Sequence, residues 1–207
     1  MIIDALDQTW QAWARLGEEL SDEQWARPTR LPSWTVKDVY THVSPFPSAT
    51  KAGIEATSPD APVSHDDAAG LLAFMQRPGG IADQSAELLK ESATARSQSA
   101  PARELVAQFS TLAPQAIAEL READLERTVH YGGFAVVPAR EALRIFVMEG
   151  VVHYFDIAAA LEREMPGPMA GEALKVTVDL LAETADPVAF IDAATGRTDT
   201  AVLPVMR

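Results

Sequence analysis

The chain reads as an all-α protein: a bundle of four long helices followed by a short C-terminal helix and hairpin. Three observations predict this. Apolar residues recur at helical spacing over most of the 207 positions. Two capping boxes, Ser21 with Gln24 and Thr35 with Asp38, stand where helices should open. The only hairpin signal comes after Met165-Pro-Gly-Pro168, the best linker in the chain. That linker divides a bundle over residues 1–165 from an appendage over 166–207.

Leu6, Trp10, Trp13, Leu16 and Leu20 fall on one stripe, so the first helix occupies most of residues 3–20. Ser21 opens a short second piece. A third element starts at Thr35 and carries His42, and Ser44-Pro-Phe-Pro47 predicts a break just past that histidine, because an interior proline removes a hydrogen bond. Residues 57–69, rich in Ser, Pro, Asp and Ala, read as a long loop. A helix resumes through Leu71, Leu72, Phe74 and Met75, breaks at Arg77-Pro-Gly-Gly80 and continues to about Ser97. The next runs from Pro101 to about Glu122, with Pro114 as a kink. Val129-His-Tyr-Gly-Gly133 reads as a loop before a long apolar helix from about Pro138 to Arg163. Beyond the linker, Glu172–Ala185 is helical in pattern with Leu174, Val178 and Leu181 on one face. Val188–Ile191, Ala194–Arg197 and Thr200–Leu203 then read as two strands and their turn. Trp10, Trp13, Trp25 and Trp34 are expected as core and inter-helix anchors.

Composition excludes several functions. With 17 basic and 30 acidic side chains the net charge is −13, and no cluster of Lys and Arg offers a phosphate-binding surface, which argues against nucleic acid and against anionic membranes. The N-terminus lacks a basic segment followed by an apolar core, and no apolar run approaches the roughly 18 residues that span a bilayer, so a cytoplasmic protein is expected. Cysteine is absent. Any thiol chemistry must therefore use an external thiol.

The chemistry concentrates in Ile145-Phe-Val-Met-Glu149-Gly-Val-Val-His153. Positions four apart share a helix face about one turn from each other, and Asp156 continues the stripe. An ionised Glu in so apolar a helix is costly to bury unless it is paired or bound to a metal. Imidazole nitrogen with carboxylate oxygen suits divalent transition metals, zinc first. The alternative is a hydrogen-bonded pair on a partly exposed face. Of the other histidines, His65 lies in turn chemistry and His130 in a connecting loop, whereas His42 sits on a capped helix. His42, Glu149 and His153 make a set of two nitrogens and one oxygen with coordination positions left open, as expected of a catalytic rather than a structural zinc. Asp38 and Asp156 are candidates to receive the second N–H of a ligating imidazole. His130, Tyr131 and Tyr154 could hydrogen-bond a substrate oxygen, against an alternative of ordinary packing. Gly150, in mid-helix at a cost of about 1 kcal/mol against Ala, marks a close approach by another backbone or a ligand.

Leu20-Ser-Asp-Glu-Gln-Trp25, Pro28-Thr-Arg and Pro32-Ser-Trp-Thr-Val-Lys-Asp-Val-Tyr-Thr-His42 together resemble the N-terminal signature of the DinB-like, mycothiol-dependent maleylpyruvate isomerase group of actinobacterial proteins. Glu149-Gly-Val-Val-His153-Tyr-Phe-Asp156 resembles that group's second signature. The resemblance covers roughly residues 1–163. It implies an up-and-down four-helix bundle whose core end holds a divalent metal through the positions of His42, Glu149 and His153. It also implies a low-molecular-weight thiol, mycothiol, as co-substrate. The region from about 166 is short beside the isomerase's own C-terminal domain, which predicts a substrate other than maleylpyruvate.

The function expected from these readings is a metal-dependent enzyme acting on a small electrophilic or carbonyl-bearing molecule, as a thiol-dependent isomerase or thiol S-transferase. Two alternatives stand beside it. One is a thiol-independent metal lyase, hydrolase or cyclase of a specialised biosynthetic pathway. The other is a non-catalytic small-molecule-binding bundle that has lost the metal, a reading favoured by the proline pair after His42.

Overall fold

In the computed structural model, which describes residues 2–56, 61–167 and 169–198, local signals set most helix limits. Helix α1, Ile2–Glu19, buries Leu6, Trp10, Trp13 and Leu16 along the predicted stripe. Ser21 caps α2, Asp22–Trp25, and the Gln24 side chain returns the bond to the Ser21 backbone N–H. Thr35 and Asp38 do the same for α3, Val36–Val43.

The proline pair interrupts the helix. Helix α3 ends at Val43 and α4, Phe46–Ala56, begins two residues after Ser44. Pro47 thereby falls in a first helical turn, where a missing N–H leaves no bond unmade.

Helix α5, Ala68–Gln76, is capped by Asp67, and α6 spans Ile81–Ser99. Helix α7, Ala102–Ala107, passes through a π-helical turn at Gln108–Leu112 into α8, Ala113–Glu122. Pro114 therefore expresses itself as one wide turn ahead of it. Its ring would collide with the carbonyl of Ser110 in a regular helix, and the π turn relieves that.

Residues expected as a loop form a small antiparallel ribbon of β1, Thr128–Tyr131, and β2, Ala135–Pro138, with Val129 opposite Val137 and Tyr131 opposite Ala135. The link works because Gly132 and Gly133 both take positive φ, 59° and 76°, a conformation that costs glycine nothing. Ser64 extends the ribbon by exchanging bonds of 2.8 Å with Val136.

Helix α9, Ala139–Leu161, is the longest and is buried on most sides. A π-helical turn, Met169–Ala173, leads into α10, Leu174–Thr184, and then α11, Pro187–Ala194. Two expectations need correction here. Val188–Ile191 is helical within α11, started by Asp186 capping and Pro187 in the first turn. The other hairpin strand, Thr200–Leu203, lies outside the described residues. The buried face of α10 is Thr177 and Leu180, while Val178 is exposed.

Helix α1 packs against α9 and α8, and α9 packs against α3 and α4, which return to α7 and α8 to close the four-helix ring. Trp10, Trp13, Tyr40 and Phe109 fill its centre. The segment Met169–Ala173 lies on α1 and α10 lies on α9, so Met169 and Ala173 join the same core. A second cluster, with Leu71, Leu72, Ile145 and Met148, fills the space between α5, the ribbon and α9. Among the described residues no helix is long and apolar enough to cross a membrane.

Candidate metal centre

Helix α9 presents Glu149 and His153 one turn apart, and the last turn of α3 brings His42 against them. One carboxylate oxygen, Glu149 Oε2, stands 3.3 Å from His153 Nε2 and 3.8 Å from His42 Nε2. The three donor atoms all lie within 4.8 Å of one another. A tetrahedral zinc with bonds of about 2.0–2.1 Å sets its ligands about 3.3 Å apart. The donor types and spacing thus fit such an ion. The proline pair does not carry His42 away from its partners.

The electrostatics follow from this crowding. Burial alone would raise the Glu149 pKa, but the two imidazoles outweigh it and hold the carboxyl well below the usual carboxylate range. Burial alone would lower the His153 pKa. Hydrogen bonds and charge from Asp156 and Glu149 overcome that and raise it to about 9. In the absence of a cation, the site therefore carries a proton on His153 to balance its carboxylates.

Asp156 receives His153 Nδ1 at 2.9 Å, which fixes the ring with Nε2 directed at Glu149. Its other oxygen accepts Arg30 Nε at 2.6 Å. Sequence reasoning did not single out Arg30, although it ends the Pro28-Thr-Arg motif. An exposed loop arginine carries no local sign of a partner on a distant helix.

The loop that delivers Arg30 is pinned by a bridge between Pro28 and Thr35 and by Thr29 N–H donating to the Trp34 carbonyl at 2.9 Å. Ser33 takes φ 68° within it. That turn lays Trp34 over the site, its ring centroid 5.5 Å from His42 and 6.5 Å from His153. Trp10, Trp13 and Trp25 are core anchors as expected, but Trp34 is also a wall of the site.

The remaining candidates divide. Tyr131 lines the cavity above the three donors, together with Trp34, Phe46 and Leu89. Burial and the nearby Glu149 charge push its hydroxyl pKa up, so it stays protonated. His130 lies one residue away, on a neighbouring cavity instead. Tyr154 turns into the bundle core, edge-on to Trp13 at 5.8 Å, and leaves the site. Asp38 does not support His42. Its oxygens accept from the Thr35 N–H at 2.8 Å and from the Ser97 hydroxyl, because a residue in the third position of a capping box reaches back toward the N-cap.

The three donors are reachable. His42 and Glu149 each keep 23% of their side-chain surface exposed and His153 keeps 15%, opening on a cavity of about 600 Å³. Such a set, with three protein ligands and room for a fourth, can hold a divalent ion that also binds a small molecule.

A family model described as the mycothiol maleylpyruvate isomerase N-terminal domain matches residues 6–158. No curated protein and no solved structure matches the chain.

Proposed function

The chain belongs to the mycothiol maleylpyruvate isomerase N-terminal domain family, and from that premise we propose a metal-dependent enzyme that acts on a small electrophilic or carbonyl-bearing molecule through a low-molecular-weight thiol. Mycothiol is the thiol the family's description names. The observation that carries the reading is the convergence of His42, Glu149 and His153 donor atoms within 4.8 Å at the wall of a cavity large enough for a substrate.

Zinc is the proposed ion, held by His42 Nε2, Glu149 and His153 Nε2. When bound it would lower the pKa of a thiol and polarise a substrate carbonyl. The chain supplies the rest. Asp156 holds the His153 tautomer, and Arg30 holds Asp156. Trp34 covers both imidazoles and limits water on that side. Tyr131, kept protonated, is placed to donate a hydrogen bond to a substrate oxygen.

In the proposed reaction the thiol loses its proton to solvent and its sulfur adds to a carbon–carbon double bond conjugated with a carbonyl. The displaced electron pair moves to the carbonyl oxygen, where Tyr131 can donate to it. Rotation about the resulting single bond and return of the pair expel the thiolate, giving cis–trans isomerisation. Protonation of the adduct at carbon instead gives a conjugate.

The test is elemental analysis of protein purified without chelator or metal-affinity resin. About one zinc per chain is expected, lost in His42→Ala, Glu149→Ala and His153→Ala while helical circular dichroism persists. Mycothiol added to cobalt-loaded protein should produce a sulfur-to-metal charge-transfer band. Turnover in thiol-free buffer without that band would replace the thiol chemistry with a lyase, hydrolase or cyclase reaction.

A further inference from the structure

Behind the cavity of the three donors lies a second chamber of about 320 Å³. The two share Phe46, Leu89 and Tyr131 as lining residues. Phe46 stacks on Phe146 at 4.9 Å and Phe146 on Tyr131 at 5.8 Å. Phe46 also stands 6.1 Å from the His42 ring. A row of aromatic rings thus runs from one proposed ligand into the chamber.

The chamber is lined mainly by apolar side chains, with Thr50, His130 and Tyr131 as its polar members. Among the described residues lining it there is no Asp, Glu, Lys or Arg, and Val129, Ala142, Leu143 and Phe146 form much of its wall. The Thr50 hydroxyl is committed to the Phe46 carbonyl at 2.8 Å. Water in such a space finds few partners, and an apolar cavity of about 150 Å³ is enough to take up benzene. This chamber has about twice that volume.

Charge points the same way. Lys90 is the only Lys or Arg among the described residues lining either space, and it faces Glu87 at 3.9 Å. A small dicarboxylate, the kind of molecule in the family's description, would bring two charges to a site with little to receive the second.

We propose that the substrate is amphiphilic: a metal-binding carbonyl or thiol-derived head sits at His42, Glu149 and His153, and an uncharged hydrocarbon chain or ring fills the chamber beyond Phe46 and Tyr131. The head half rests on the metal reading above; the chamber half stands on its own lining.

Two probe series separate the halves. Zinc-loaded protein is titrated calorimetrically with n-alkyl hydroxamates of two to eight carbons, and metal-free protein with n-alkanols of the same lengths. Affinity should rise roughly fourfold per added methylene until the chamber is full. Octanoate should bind at least tenfold tighter than suberate, which has the same number of carbons and a second carboxylate in place of the terminal methyl. Ala142→Leu should shorten the chain length at which affinity stops rising. Ala49→Phe, at an exposed lining position, should do the same without loading the core.

Length-independent affinities in both series, or suberate binding as tightly as octanoate, overturn the proposal. If zinc is retained while both series are flat, the chamber fails and the metal centre stands. If the protein binds no zinc yet the alkanol series rises, the chamber stands and the head at a metal is overturned.

Discussion

Arg30 and Asp156, separated by 126 positions in the chain, meet through Nε and Oδ1 at 2.6 Å, and the other oxygen of Asp156 holds His153 Nδ1 at 2.9 Å. A loop at one end of the bundle thereby sets the orientation of an imidazole on its last long helix.

Asp156→Ala is expected to lower metal affinity by roughly 10–100-fold, the range typical of removing a partner that orients a ligand. Asp156→Asn, whose amide oxygen can still accept from Nδ1–H, should lose less. Arg30→Ala should cost under about tenfold, because its side chain is 58% exposed and solvent screens the pair. Competition against a chelator measures each, with circular dichroism showing that the fold persists.

The pH dependence of the metal-free protein follows from His153. Its pKa is raised from the ordinary 6.5 to about 9 in the folded state. A group raised in this way contributes stability that is complete below pH 6.5 and lost as pH climbs through about 9. Urea midpoints of chelator-treated protein should fall across that window, and His153→Gln should flatten that part of the fall. The same proton must leave before Nε2 can ligate, so zinc loading at pH 7.5 should release about one proton. Calorimetry in buffers of different ionisation enthalpy reads that release directly.

Metal removal should be visible as lost heat stability. Free zinc at 100 times its dissociation constant stabilises a folded state that alone binds it by about 2.7 kcal/mol. For a chain of this size that is about 5–10 °C in Tm. Scanning calorimetry with and without chelator should show the difference, and His42→Ala should abolish it.

Gly150→Ala tests the contact between α1 and α9. A Cβ there would stand 2.6 Å from the Thr9 methyl, and the Gly150 carbonyl accepts Trp13 Nε1–H at 3.0 Å. Alanine would gain about 1 kcal/mol in helix propensity, yet overpacking typically costs about 1–3 kcal/mol and would disturb that bond. Net destabilisation, read as a lower urea midpoint at unchanged slope, is the expected result.

These residues also show how far the chain could be read in advance. The stripe of α1, the capping boxes of α2 and α3, and the shared face of Glu149 and His153 were all legible, and Gly150 did mark a close approach, though by the Thr9 and Trp13 side chains of α1 and not by a backbone or a ligand. Each depends on groups within one or two helical turns, or on the cost of a residue type at its own position. The ribbon at residues 128–138 was not, since four-residue strands gain their stability from Ser64 and from packing beneath α9 rather than from their own pattern.

Which face a residue finally shows was decided by long-range packing. Asp38, Asp156 and Tyr154 were all near candidate ligands in sequence, but only Asp156 reaches one. Asp38 was claimed by its own helix cap, and Tyr154 was rotated into the core against Trp13. Arg30 and Trp34 became part of the site through a loop whose course depends on the Pro28–Thr35 bridge and the positive φ of Ser33. Helical periodicity is a property of neighbours a few residues apart, so composition and spacing settle it. The meeting of α3, α9 and the loop before α3, and the chamber behind Phe46, arise from surfaces far apart in the chain, and only their mutual burial selects them.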